Sequence, residues 1–271
     1  MAAMSGPRRD YRGIVDAHEL FSHVHFRRRE PAPRLRTQVA NYWLIDWDLP
    51  EPYISHVVPH PSVNLVFQHY ESTGEPAFAE VAGIGLQLFS QKLEGRGRVC
   101  GVKFRPGGFR PFAPDHPVSR WSGRRLMADE VLAVPAPVAA VLDPAEEDAR
   151  VAALDAYLRA LVPEPDPQAE RVMALVERVR TDRTIRRVDE LARAEGLSAR
   201  SLQRLFATYV GVGPKWVILR YRIHEALERA ETDPEVDWAT LAAELGYSDQ
   251  AHLVRDFTTT LGVPPATLAG R

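Results

Sequence analysis

The chain has 271 residues, 45% hydrophobic and 26% charged, with a net charge of −2 at pH 7. Its single cysteine, Cys100, excludes an intramolecular disulfide and a multi-cysteine metal site, and suits a reducing cytosol. No run of about eighteen apolar residues occurs and residues 1–10 hold no apolar h-region, so neither a spanning helix nor a signal peptide is expected, and the expected location is cytoplasmic.

Residues 1–9 read as a disordered leader. From Leu20 the pattern is that of strands. Residues 21–26 alternate with period two, residues 42–47 are aromatic and β-branched, and residues 63–68, 86–92 and 99–104 continue the series. Pro50-Glu51-Pro52, Pro59-His60-Pro61 and Pro106-Gly107-Gly108 read as loops or turns between them. Short strands with such punctuation predict a cupin-like or jelly-roll barrel of roughly eight strands over residues 20–112. From Val131 the pattern turns helical, and Pro144 can start a helix that runs to 162. Its seam of Val151, Leu154, Leu158 and Leu161 either packs on the barrel or forms a dimer interface. Pro163, Pro165 and Pro167 make a stiff linker.

These signals predict an α+β chain. Residues 11–162 form the β domain with a carboxy-terminal helical hairpin, 163–167 the linker, and 168–271 an all-α domain.

Seven of the nine histidines precede residue 120. His23, His25 and Glu30 read H-x-H-x4-E, a spacing that suits Fe, Mn or Zn. Against it, no glycine precedes the first histidine and Arg27, Arg28 and Arg29 crowd the site; exposed or core-edge histidines are the plainer reading, and no metal or other cofactor is expected, the alternative being a cupin-type metal-dependent protein, an enzyme or metal sensor, fused to a DNA-targeting domain. A Gly-x-Ser-x-Gly elbow, a Walker loop and a dinucleotide fingerprint are all absent, so no enzyme is expected. Cys100 in Val99-Cys100-Gly101-Val102 reads as a buried, inert thiol. The turn at Pro106 with Arg105 and Arg110 reads as a hairpin turn, with an anion site as the alternative. Tyr42, Trp43, Trp47, Phe67 and Phe104, with Tyr53 and Phe89, line a pocket for a small effector or else form core.

The carboxy-terminal part states one pattern twice. Leu191-Ala192, Gly196, Leu202, Phe206 and Gly211-Val212-Gly213-Pro214 are answered by Leu241-Ala242, Gly246, Leu253, Phe257 and Gly262-Val263-Pro264-Pro265. Leu-Ala to Gly and Leu to final Pro have equal spacing in both copies, while Gly to Leu is one residue longer in the second. Each copy has the order of a helix-turn-helix: a small alanine where helices cross, a glycine turn, a serine cap (Ser198, Ser248) and an apolar face. The units are expected at 188–209 and 238–260, joined by a helix at 214–231.

This stretch resembles the DNA-binding domain of AraC/XylS-type transcriptional regulators. Arg222-Ile223 and Ala226-Leu227 resemble that family's connector, and Gly246-Tyr247-Ser248-Asp249-Gln250 through Phe257 to Gly262-Val263-Pro264-Pro265 its signature. His252 stands where an aromatic is usual, and the chain lacks the usual aromatic and Arg after Pro265. Val63-Asn64-Leu65-Val66-Phe67 and Gly101-Val102-Lys103-Phe104-Arg105-Pro106-Gly107-Gly108 resemble an amino-terminal domain of an actinobacterial-looking subset of those regulators. The resemblance implies a bacterial transcription regulator whose amino-terminal domain senses or dimerises. Expected partners are double-stranded DNA, a small-molecule effector, a second copy of the chain and RNA polymerase, without a membrane.

By elimination of the buried positions, Ala199, Arg200, Gln203 and Arg204 face outward in the first unit, and Gln250, Ala251 and Arg255 in the second, with His252 able to reach a base or phosphate. Ser198 and Ser248 stand at helix starts that hold phosphates. Charge is uneven. Residues 168–229 carry 13 Lys/Arg against 8 Asp/Glu, and residues 230–271 carry 2 against 7, a change from +5 to −5. The first unit is therefore expected to supply most of the phosphate attraction.

Overall fold

The computed structural model describes residues 13–265 apart from 162, 164 and 234; the leader at 1–9 and the chain end at 269–271 lie outside the described residues. Seven strands form one antiparallel sheet: β1 (Ile14–Val15), β2 (His25–Arg29), β3 (Val39–Val57), β4 (Asn64–Tyr70), β5 (Phe78–Ala82), β6 (Phe89–Phe104) and β7 (Arg125–Met127). Their order is β1-β3-β6-β4-β5-β7, with β2 also on β3. The two end strands, β1 and β7, do not pair with each other, so the sheet is open. This overturns the expected cupin-like or jelly-roll barrel.

The reason lies in the strand sequences. A small barrel has one apolar inside; this sheet is apolar on both faces. Along β3, Tyr42 and Leu44 enter one core while Trp43, Ile45 and Trp47 enter the other. The unbroken apolar run in residues 42–45 marks a strand covered on both sides. Helix α1 (Ala17–His23) covers the second face through Ala17 and Leu20, with Val24 just after its end. Trp43 pairs with Gly101 and Trp47 with Gly97 across the β3–β6 ladder. A Cβ at either glycine would lie about 2.0 Å from the indole, so both rings lie directly on glycine backbone.

Several local expectations are corrected. Residues 21–23, read as strand, end α1: Ala17, Leu20 and Val24 are buried at i, i+3 and i+7, a helical spacing. Pro50-Glu51-Pro52 does not break the chain into two strands. It sits inside β3 at a register shift between Leu49 and Tyr53, where no ladder hydrogen bond is required of proline. Residues 86–92 and 99–104 belong largely to one strand, β6. The turn at Pro106 closes with Gly108 N donating to Arg105 O at 2.7 Å and leads to a 3-10 turn at Arg110–Phe112 rather than a second hairpin strand.

The helical hairpin is α2 (Val138–Leu142) and α3 (Glu147–Ala160). Leu154 and Leu158 are fully buried in the first core and Val151 and Leu161 pack on it, so the seam closes on the chain's own sheet. An ion cluster pins the hairpin there. Asp46 of β3 accepts from Arg27, from Arg98 Nε at 2.5 Å and from Arg150 Nη1 at 3.1 Å, and Arg150 and Arg98 both donate to Pro144 O. Arg150 is 2% exposed. Partial burial pushes the Asp46 carboxyl up, but the bonds from Arg27 and Arg98 and the Arg150 charge outweigh it and bring it down to about 2.

Six helices complete the described chain: α4 (Pro167–Thr181), α5 (Val188–Ala194), α6 (Ala199–Tyr209), α7 (Pro214–Thr232), α8 (Trp238–Glu244) and α9 (Gln250–Leu261). Asp166 caps α4, accepting from Gln168 N at 2.9 Å and Ala169 N at 3.1 Å. Val172, Leu175, Leu202, Phe206 and Val217 lie in the same core as Phe104, Phe109 and Phe112. Sheet and helices thus share buried apolar surface across residues 163–167. No helix among the described residues is long and apolar enough to cross a membrane.

Candidate nucleic-acid interface

The two repeats have matching backbone geometry. After α5, Gly196 takes φ +62° and donates to Arg193 O, and Leu197 N reaches back to Ala192 O at 2.9 Å. After α8, Gly246 takes φ +76° and donates to Ala243 O, and Tyr247 N reaches back to Ala242 O at 2.9 Å. Both are Schellman closures that need a residue with positive φ. Leu191, Ala192, Leu202 and Phe206 are buried in the first unit, and Leu241, Ala242, Leu253 and Phe257 in the second. Helix α7 joins the units. Its 19 residues span roughly 28 Å at about 1.5 Å per residue.

The one-residue difference between the copies lies in the turn. Ser198 caps α6, its Oγ accepting from Ser201 N at 3.1 Å. Ser248 does not cap α9. Asp249 does, accepting from His252 N at 2.7 Å, while Ser248 Oγ lies 3.1 Å from Asp249 Oδ2. Cap to first buried leucine is four residues in both units, Ser198 to Leu202 and Asp249 to Leu253, so the extra residue falls between glycine and cap. The signal was present in the sequence, since Asp and Ser are equally good caps. We expect Asp249→Ala to lower stability by about 0.5–2 kcal/mol and Ser248→Ala by less, compared by thermal unfolding of the two variants. An equal loss in both would contradict this assignment.

On α6, Arg200, Gln203 and Arg204 are exposed and Ala199 is half-buried, with exposed Ser198 at the start. The side chains of Arg200, Gln203 and Arg204 make no hydrogen bond or ion pair among the described residues. On α9, Gln250, Ala251 and Arg255 are exposed, as is Ser248 before it. His252 is half-buried, with its side chain 44% exposed. Its Nδ1 lies 3.2 Å from Ser248 Oγ, its ring meets Tyr247 edge-on at 5.1 Å, and its Nε2 lies 4.0 Å from Asp256 Oδ2. The hydrogen bond from His252 N, then that from Ser248, hold the Asp249 carboxyl below its ordinary range, with Arg255 adding to it. The second face therefore presents its one arginine beside a fixed negative charge.

Residues 191–271 match the family model of a helix-turn-helix domain. The carboxy-terminal part of the chain is all-α and similar to that helix-turn-helix domain. Ahead of it, residues 27–127 match a domain of unknown function (DUF6597). No curated protein matches the chain. Among solved structures, the C-terminal domain of AraT, a response regulator from Geobacillus stearothermophilus, is 18% identical over 38% of this chain and 84% of that one, with a TM-score of 0.35. ToxT from Vibrio cholerae is 10% identical over 85% of this chain and 98% of that one, with a TM-score of 0.43. ToxT from Vibrio cholerae O395 is 10% identical over 84% and 97%, with a TM-score of 0.41. At these TM-scores the backbones overlap only loosely.

The other sites read from the sequence are not brought together. The five aromatics proposed for an effector pocket divide between the sheet faces, Tyr42, Phe67 and Phe104 in one core and Trp43 and Trp47 in the other. Tyr42 is fully buried, its hydroxyl donating to Asp155 Oδ1 at 2.7 Å. His23 ends α1 and stacks on Tyr53 at 4.4 Å, His25 is in β2, and Glu30 pairs with Arg36 at 2.9 Å, so these three do not form a metal cage. No group of three or more His, Cys, Asp or Glu among the described residues is placed to hold a metal ion. Cys100 is fully buried, and burial pushes its thiol up to about 11, away from reactive thiolate. Arg105 and Arg110 donate to the carbonyls of Arg36 and Ala113, which gives both a structural use at the Pro106 turn.

Proposed function

We propose that the chain is a sequence-specific DNA-binding transcription regulator of the AraC/XylS type. The observation that carries this reading is the duplicated unit, in which α6 and α9 each stand as the second helix and α6 exposes Arg200, Gln203 and Arg204. Arginine suits guanine edges and glutamine adenine edges in the major groove. Ser198, Ala199, Arg200, Gln203 and Arg204 are the proposed contacts of the first unit, and Ser248, Gln250, Ala251, His252 and Arg255 those of the second. The Ser198 hydroxyl and the backbone N–H groups at the starts of α6 and α9 suit backbone phosphate. In this reading residues 11–162 regulate, through a small molecule or a second copy, and residues 168–271 bind DNA and meet RNA polymerase.

Selection from a pool of random duplexes tests the reading. Repeated rounds should enrich a defined sequence, and the Arg204→Ala variant should select a relaxed version of it. A pool that stays random after selection by the full chain would sink the proposal.

The proposed division at 163–167 has its own test. Residues 167–271 should unfold cooperatively on their own, but at a lower temperature than the full chain, because Val172, Leu175 and Phe206 lose the sheet-side cover of their shared core. A fragment without a cooperative transition would place the boundary elsewhere.

A further inference from the structure

A cavity of about 320 Å³ lies at the junction of four parts of the chain. His60 reaches it from the loop after β3, Asp182 to Arg186 from the lead-in to α5, Ile218 to Thr232 from α7, and Glu244 and Leu245 from the end of α8. The volume is that of a small-molecule site. Ile185, Ile218, Tyr221 and Leu245 give it apolar walls.

Its charge is unevenly compensated. Arg180 is paired with Glu177, Arg183 with Glu225, and Arg229 lies 3.7 Å from Glu244. Arg186 and Arg222 differ. The Arg186 side chain makes no hydrogen bond or ion pair among the described residues, and its stem lies across the Gly246 turn, where a Cβ would meet its Cδ at 2.7 Å. Arg222 is half-buried, donates to the Arg186 carbonyl at 2.7 Å and sits over the Tyr247 ring. Burial lowers the Arg222 pKa, Tyr247 raises it, the Arg186 charge lowers it, and Asp256 and Glu190 raise it again, so Arg186 and Arg222 repel each other beside partly compensating carboxylates. Carboxylates lie nearby, with Asp256 and Glu190 acting on Arg222 and Asp182, Glu225, Glu228 and Glu244 on the cavity wall, but neither Arg186 nor Arg222 is ion-paired among the described residues, and two such adjacent guanidiniums suit a dianion, which each can hold with paired N–H donors.

We propose that this cavity is a phosphate-monoester site, with Arg186 and Arg222 on the phosphate and Ile218, Tyr221 and Leu245 around the body of the ester. The site touches the lead-in to the first unit, the connector and the last turn of α8 in the second. An occupant therefore fixes how the two units sit on α7. That consequence rests on the DNA-binding reading; binding of the ester does not.

The experiment is calorimetric titration of the full chain with phenyl phosphate, without DNA. One site per chain is expected. Arg186→Ala and Arg222→Met should each weaken it at least tenfold, with Arg222→Lys weakened less than Arg222→Met. Benzoate, with the same ring and a single charge, should bind at least tenfold more weakly. Arg186 is exposed, so Arg186→Ala keeps the fold and the test stays readable if Arg222→Met does not. Absence of saturable binding, equal binding of benzoate, or affinity unchanged in Arg186→Ala would overturn the proposal. The phosphate could instead belong to the DNA backbone. Arg186→Ala would then weaken duplex binding about tenfold without any ester present and reduce its salt slope by about one, which would also overturn the small-molecule site. Duplex binding within twofold of wild type, with an unchanged slope, supports it.

Discussion

Asp46→Asn is expected to destabilise the protein by roughly 3 kcal/mol, the low end for removing one partner of a buried ion pair. The low end applies because the Asp46 side chain is 25% exposed while that of Arg150 is 3% exposed. Asparagine keeps the shape of the side chain but leaves the Arg150, Arg98 and Arg27 charges without their shared counterion. The pH dependence follows from the direction of the shift. Asp46 has a folded value of about 2, below the roughly 3.9 of an unfolded aspartate. Its contribution is fully present above pH 4 and is lost as pH falls toward 2. Urea unfolding of wild type and variant from pH 7 to pH 2.5 should show a constant gap that narrows below pH 4. A gap that is absent at pH 7, or that widens in acid, contradicts the role given to Asp46.

Arg204→Ala is expected to weaken DNA binding by about 1–3 kcal/mol and to relax preference at one or two base pairs. Arg255→Ala is expected to cost less. Arg204 is exposed on α6 in a segment where 13 Lys/Arg face 8 Asp/Glu, whereas Arg255 stands in a segment with 2 against 7, and Asp249 lies near it. Asp249 is held ionised by the cap bond from His252 N, and a fixed negative charge opposes phosphate. The competing account is that bent DNA engages both units equally. Affinity measured against salt separates the two. Equal losses of affinity and slope in Arg204→Ala and Arg255→Ala would refute the asymmetry.

What was readable in the sequence was what short-range chemistry decides. The repeat was legible because Gly196 and Gly246 must take positive φ, and because Leu202, Phe206, Leu253 and Phe257 recur at helical spacing. The one-residue offset between copies was visible too, but its meaning was not. Ser248 and Asp249 are rival caps, and only the hydrogen bond to His252 N chooses between them. The barrel was misread because period-two alternation finds strands without saying how many faces are covered. The continuous run at 42–45 carried that information, and the glycines opposite Trp43 and Trp47 carried it again. Long-range partners were not legible at all. Asp46 and Arg150 are 104 residues apart, and His60 meets α7 with Tyr221 and His224 only in the folded chain. The same separation hid the cavity at Arg186 and Arg222.

The most direct test of the account is hydroxyl-radical footprinting of the full chain on the duplex that selection enriches. The 19-residue α7 spans roughly 28 Å, and half a helix width at each end brings the reach to about 38–40 Å, enough to span the roughly 34 Å of one DNA turn. Two protected segments are therefore predicted, centred about 10 base pairs apart on one face of the duplex, with the segment facing α6 protected at higher salt than the one facing α9. A single short protected segment, unchanged by Phe257→Ala in the second unit, would contradict it.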